Sequence, residues 1–310
     1  MNQNLLSVEA LGKCIISGEH IILYGYPALA MSIPLKLKLH LRDLSLEEQQ
    51  KSSQGFHFLQ DIFWDIKGYK VTSNTLKQAF QRALLFHHKK SFPYKIMIES
   101  QIPLGAGLGS SAALCIAICK LLEKLYGKTL ESLEFKARTL ESYFHRPSSG
   151  LDIAASLSRD PIVFQKNQPL QKIPPPKGSC WLAIDSGERA STSSQVQKVK
   201  KLYIQSPQKI DSQFEAIGKN TSDLINSWKE ADWKSVGLKM NSIFSQLEDL
   251  GLSTSTLSHM QRTSLELGAL GAKITGAGGG GVLIILIEYS KVFKMRNYFQ
   301  DKVIFQLNFN

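Results

Sequence analysis

Cysteine is scarce in this chain of 310 residues: the four present, Cys14, Cys115, Cys119 and Cys180, are scattered, and none forms a CxxC pair at zinc-ligand spacing. That excludes a disulfide framework and predicts reduced, mostly buried thiols. Long apolar runs are missing too. VLIILI at 282–287, among the longest, falls far short of the roughly 20 residues that a membrane-spanning helix needs, so no membrane partner is expected. The opening MNQNLLSVEALGK holds neither a basic segment nor a continuous apolar stretch, which argues against a secretory signal and for a cytoplasmic protein. No helix-turn-helix, RNP or zinc-finger pattern accompanies the dispersed lysines, so a nucleic-acid partner is not expected.

What is present is a basic, foldable chain. The 37 Lys and Arg against 26 Asp and Glu give 37 − 26 = +11, and this surplus suits anionic small molecules reached by electrostatic steering. With 43% hydrophobic and 20% charged residues the sequence can fill a core, which rules out disorder. Its length favours two lobes. Four of the 11 prolines fall in KNQPLQKIPPPKG at 166–178, and the lobe boundary is placed there, giving 1–175 and 176–310.

Along the chain, CIIS and HIILYG read as strands from their β-branched, apolar content, and LKLKLHLR at 35–42 alternates as a half-buried strand does. Residues 43–60 read as an exposed loop or irregular helix. Residues 73–90 follow a capping residue with helical apolar spacing. A strand at 94–100 runs into the glycine loop 105–109 and a long apolar helix, and 131–145 is a further helix before the turn RPSSGLD. After the prolines come a strand (CWLAID), helices over roughly 195–230 and 233–250, a helix at 254–268, the strand VLIILIE, a helix through KVFKMRNYFQ and a last strand VIFQLNFN. This order fits a ferredoxin-like half.

Two glycine loops carry the chemistry. GAGLGSSAA, 105–113, lets backbone N–H groups approach an anion at a helix start, where amides and dipole favour negative charge. Ser110 and Ser111 read either as helix caps or as phosphate and metal ligands. No Gly-Lys-Ser/Thr ends the loop, so it is not a Walker A motif. Gly276, Gly278 and Gly281 satisfy GxGxxG, yet an apolar strand follows rather than a helix, which disfavours a dinucleotide site. Lys13, Glu19 and His20 place a cation and an acid–imidazole pair within GKCIISGEH. Glu141, near a helix end, and Asp152, eleven residues on, can supply two carboxylates for a metal and a reacting hydroxyl.

Together GKCIISGEHIILYGYPALAMSIP (12–34), IPLGAGLGSSAA (102–113), HRPSSGLD (145–152) and GAKITGAGGGG (271–281) resemble the GHMP kinase superfamily. Within it, LGLSTSTLSHMQRTSLELGALGAK (250–273) is most similar to the branch that phosphorylates mevalonate. The resemblance implies an α+β, two-lobe fold: an N-terminal lobe like that of a small-subunit ribosomal protein and a C-terminal ferredoxin-like lobe, with ATP and acceptor in a cleft. It implies that Gly105, Ala106, Gly107, Leu108, Gly109, Ser110 and Ser111 cradle the nucleotide phosphates, and that Ser111 and Glu141 hold magnesium. Asp152 would accept or orient the acceptor hydroxyl proton. Lys13 would lie beside it, lower its pKa and stabilise the transferring phosphoryl group. Glu19 and His20 would face the acceptor, with Gly276, Ala277, Gly278 and Gly279 lining its site. ATP, Mg2+ and mevalonate are thus the implied partners; a homodimer is compatible and not fixed. Phosphomevalonate kinases and sugar kinases share the chemistry, as would an inactive binding relative that had lost these residues. One departure stands out: Ser148 is inserted where the family's motif runs Pro-Ser-Gly, or equivalently Ser149 takes the place of the motif serine.

Overall fold

The computed structural model describes residues 6–43, 64–66, 73–89, 92, 94–145 and 148–309. Apart from Asp43, the expected loop at 43–60 lies outside them. The chain forms two compact units, each assembled from separate stretches: Met1–Gly12, Ile33–Leu104 and Gly109–Leu157 in the first, and Lys13–Ser32, Gly105–Leu108 and Ser158–Asn310 in the second.

In the first unit β1 (Leu6–Ser17) pairs with β2 (Ala28–Asp43), and both strands continue into the second unit. The alternation of LKLKLHLR is realised directly. Leu37, Leu39 and Leu41 are buried, while Lys36, Lys38 and His40 turn to the other face. β3 (Trp64–Ile66) and β4 (Tyr94–Ser100) extend the sheet, β2 antiparallel to β4 and β3 parallel to it. α1 (Ser73–Phe86) precedes β4; α2 (Ser110–Tyr126), α3 (Leu133–Glu141) and α4 (Leu151–Leu157) follow it. α2 is apolar on nearly every side, from Ala112 to Leu122, because α1, α3 and α4 all pack against it.

The second unit holds β5 (Ile162–Phe164), which pairs with the start of β2, and β6 (Gln171–Lys172). Its main sheet is built from β7 (Ser179–Asp185), β8 (Ala269–Thr275), β9 (Val282–Ile287) and β10 (Val303–Phe309) in the antiparallel order β10-β7-β9-β8, the ferredoxin-like arrangement. Its helices are α5 (Thr192–Gln205), α6 (Pro207–Lys229), α7 (Trp233–Asp249), α8 (Ser255–Glu266) and α9 (Val292–Phe299). The stretch near 195–230 is two helices because Ser206 leaves helical geometry (φ −148°) before Pro207, which opens α6. Among the described residues no helix is long and apolar enough to cross a membrane.

Two expectations change. HIILYG is not a strand: Ile21–Tyr24 is a single 3-10 turn, entered through His20 at φ 63° and left through Gly25 at φ 92°. Ile21 and Ile22 are buried there, so their apolar, β-branched character reports burial rather than extension. The run ALGAKIT, given no element from sequence, is strand β8.

β8 lies close under α7 because both lack side chains where they meet. A Cβ on Gly237 would stand 2.5 Å from the Leu270 carbonyl carbon, and one on Gly271 would stand 2.5 Å from Gly237 Cα. Helix propensity alone would make Gly237→Ala stabilising by about 1 kcal/mol. The clash with backbone, which cannot rotate away, outweighs it. Gly237→Ala is expected to lose about 1–3 kcal/mol in urea unfolding; a gain in stability would contradict this packing.

Candidate active site

The end of β1 lies in the second unit and is fastened to both glycine loops. The Lys13 backbone N–H donates to the Leu108 carbonyl (3.0 Å), and the Ile15 N–H donates to Thr275 Oγ1 (2.8 Å). Lys13 itself is 2% exposed, and its Nζ donates to the Gly107 carbonyl at 3.1 Å. The loops touch each other as bare backbone: Gly107 sits at φ 81°, and a Cβ on it would lie 2.5 Å from the Thr275 carbonyl oxygen, while one on Gly276 would lie 2.9 Å from Gly107 Cα. Only glycine meets both demands there. Gly281 packs as closely on Ala106, and Gly105 stays exposed beside Arg189.

The Gly-Glu-His turn belongs to the same unit. His20 Nε2 meets the Ala277 carbonyl at 2.9 Å; a carbonyl only accepts, so Nε2 carries the proton. Burial pushes the imidazole below its ordinary 6.5, against a smaller upward pull from that carbonyl and from Glu19. The ring is therefore neutral, with Nδ1 as its acceptor. Its φ of 63° is rare for a residue with a side chain. Glu19 forms an ion pair with Lys273, and both are buried. Gly278 and Gly279 are half-buried in the loop that follows.

The first unit holds the remaining residues. Gly109 occupies the N-cap of α2 at φ 77°, and no side-chain cap hydrogen bond is made there among the described residues. Ser110 and Ser111 therefore do not cap it, and its first N–H groups keep their capacity for an anion. Ser111 Oγ lies 3.0 Å from His145 Nε2, and the His145 N–H donates to the Glu141 carbonyl at 3.0 Å. Glu141, the last residue of α3, is 2% exposed and accepts from Ser148 Oγ at 2.7 Å. His145 thus links the Ser111 hydroxyl, through its ring, to the main chain of Glu141, through its backbone N–H. Their hydroxyl and carboxylate oxygens fit a hard cation such as Mg2+, which takes few protein ligands and keeps water and phosphate oxygens. Among the described residues no group of three or more His, Cys, Asp or Glu side chains is placed to hold a metal ion. Asp152 is half-buried in the first turn of α4, where the helix end favours negative charge.

Four residues now attached to the site were given no role from sequence: His145, Ser148, Lys273 and Thr275. Lys273 carried the clearest signal, since a lysine inside the otherwise uncharged GAKIT strand must find a partner when buried.

The chain matches the family models for the GHMP kinases N terminal domain over residues 74–159 and the GHMP kinases C terminal domain over 224–304. It is 32% identical to a mevalonate kinase of Thermococcus sibiricus over 298 residues, covering 90% of this chain and 88% of the relative. This chain belongs to the GHMP kinase family. The crystal structure of Methanococcus jannaschii mevalonate kinase superposes with a TM-score of 0.77 at 22% identity, covering 98% of this chain and 97% of that one. Streptococcus pneumoniae phosphomevalonate kinase in complex with phosphomevalonate and AMPPNP superposes with 0.76 at 17% identity, covering 98% and 99%. Fold likeness therefore confirms the GHMP architecture and does not separate the two acceptors.

The neutral His20 gives a pH dependence of stability. The unfolded chain protonates near the ordinary 6.5 while the folded ring resists, so stability present above 6.5 is lost as pH falls toward the lower folded value. The loss is about 1.4 kcal/mol per pH unit across that window. His20→Gln keeps an N–H donor without titrating. Its melting temperature is expected to fall less than wild type between pH 7 and 5 in parallel calorimetry; equal falls would show that His20 is not buried neutral.

Proposed function

We propose that this chain transfers the terminal phosphoryl group of ATP to the primary hydroxyl of mevalonate. The observation that carries this reading is the 32% identity, over 88% of its length, to a relative named mevalonate kinase, with Lys13, Ser111 and Asp152 present in the family's motifs and Glu141 four residues before the motif that holds Asp152.

Phosphoryl transfer demands positioning and charge neutralisation more than covalent chemistry. The backbone amides of 105–111 bind the nucleotide phosphates, helped by the uncapped start of α2. Ser111 and Glu141 would hold Mg2+, which when bound neutralises charge on the phosphate oxygens. Lys13 supplies a fixed cation for the charge that spreads over the transferring group. As the acceptor oxygen bonds to phosphorus and the bond to the bridging oxygen breaks, Asp152 takes or orients the hydroxyl proton. Glu19, His20 and the loop 276–279 shape the acceptor's surroundings.

Phosphomevalonate is the competing acceptor. A phosphomonoester carries about −1.5 to −2 charge and calls for two or more converging cations. Two of the described cations beside these motifs are engaged elsewhere: Lys273 with Glu19, and Arg189 with both Asp185 carboxylate oxygens at 2.6 Å. That favours the unphosphorylated acceptor. Purified protein is expected to show at least tenfold higher kcat/KM for mevalonate than for 5-phosphomevalonate; a tenfold preference the other way overturns the assignment. In the same assay Asp152→Asn is expected to keep its nucleotide affinity and lose about 10²–10³ in kcat, and an unchanged kcat would remove Asp152 from the reaction.

A further inference from the structure

A lysine in the interior of a buried strand requires compensation. Lys273, in the middle of β8, is fully buried between Ala272 and Ile274. Its ammonium donates to the Ile274 carbonyl at 2.6 Å and to Glu19 Oε1. Glu19 is 3% exposed, and its second oxygen, Oε2, is buried with no hydrogen-bond partner among the described residues. One half of this carboxylate is thus held fast while the other is left as a desolvated acceptor. Such an atom in a native interior calls for a water or a ligand donor.

We propose that Lys273 is a positioning residue of the acceptor site, holding Glu19 by Oε1 so that Oε2 accepts a hydrogen bond from the tertiary hydroxyl of mevalonate. This rests on the reading of the acceptor given above. The choice of group follows from charge and hydrogen-bond chemistry. Mevalonate offers a carboxylate, a primary hydroxyl and a tertiary hydroxyl. An anionic Oε2 repels the carboxylate, and the primary hydroxyl gives up its proton in the reaction, with Asp152. The tertiary hydroxyl is the remaining donor. Lys273 makes the arrangement tolerable, because a buried Glu19 without its cation would be an uncompensated charge. It also fixes which oxygen is spent and which is offered.

The test compares mevalonate with 5-hydroxy-3-methylpentanoate, which lacks only the tertiary hydroxyl, in wild type, Lys273→Met and the double variant Glu19→Gln/Lys273→Met. Wild type is expected to prefer mevalonate by about 10- to 100-fold in kcat/KM, as a hydrogen bond to a buried charge implies. Lys273→Met is expected to melt at lower temperature. The neutral double variant recovers most of that stability, yet its preference falls to within about threefold through a raised acceptor KM, with KM for ATP unchanged. A purely structural pair would leave the preference intact in the double variant, and that result overturns the proposal. Equal use of both acceptors by wild type also overturns it, requiring no variant to fold and leaving the mevalonate assignment standing. No turnover of mevalonate at all would instead remove the reading on which it rests.

Discussion

The arrangement depends on two hydrogen bonds donated by backbone N–H groups at the end of β1. Lys13 N–H to Leu108 O and Ile15 N–H to Thr275 Oγ1 tie one strand to two loops far away in sequence. Because the loops meet as glycine backbone, Gly107 against Thr275 and Gly276, there is no side chain to flex between them. The Lys13 ammonium is consequently fixed against the Gly107 carbonyl rather than free on a four-carbon stem. A cation fixed in advance costs no reorganisation when charge develops on a transferring group, and that is how preorganised sites lower barriers.

Charge in the interior follows one rule throughout. Each buried lysine among the described residues has an acceptor: Lys13 the Gly107 carbonyl in the second unit, Lys136 Glu123 at 2.6 Å and Thr129 in the first, and Lys273 Glu19 in the second. The pairs differ in what they leave over. Lys136, on the buried side of α3, pairs with residues given no chemical role, whereas the Lys273 pair leaves Glu19 Oε2 buried without a partner among the described residues. The thiols mark the opposite limit. Burial lifts Cys14 and Cys119 to about 12, which keeps them protonated and inert at neutral pH.

Sequence revealed most where the local pattern and the final environment agree. The alternation at 35–42, the apolar helix behind the first glycine loop and the strand VLIILI all become the elements their patterns suggest. Pattern failed where burial and conformation part company: IILY is apolar and β-branched, but the positive φ of His20 and Gly25 folds it into a turn. β8 was hidden for a related reason. Its glycine and its lysine are poor strand formers, and they are there because α7 lies on the one and Glu19 neutralises the other. The residues given roles by resemblance were legible as motifs. Their fastenings, through His145, Ser148 and Thr275, depend on contacts that spacing along a chain does not report.

Native-state amide hydrogen exchange in the full chain tests the fastening of β1 most directly, comparing wild type with Thr275→Val, which keeps the shape of the threonine and removes its acceptor oxygen. The Ile15 and Lys13 amides are expected to exchange about 10- to 100-fold faster in the variant, as loss of a buried hydrogen bond implies, while β9 amides stay as protected as before. Unchanged protection at Ile15 would show that the strand is not held by Thr275 and that Lys13 is positioned by other means.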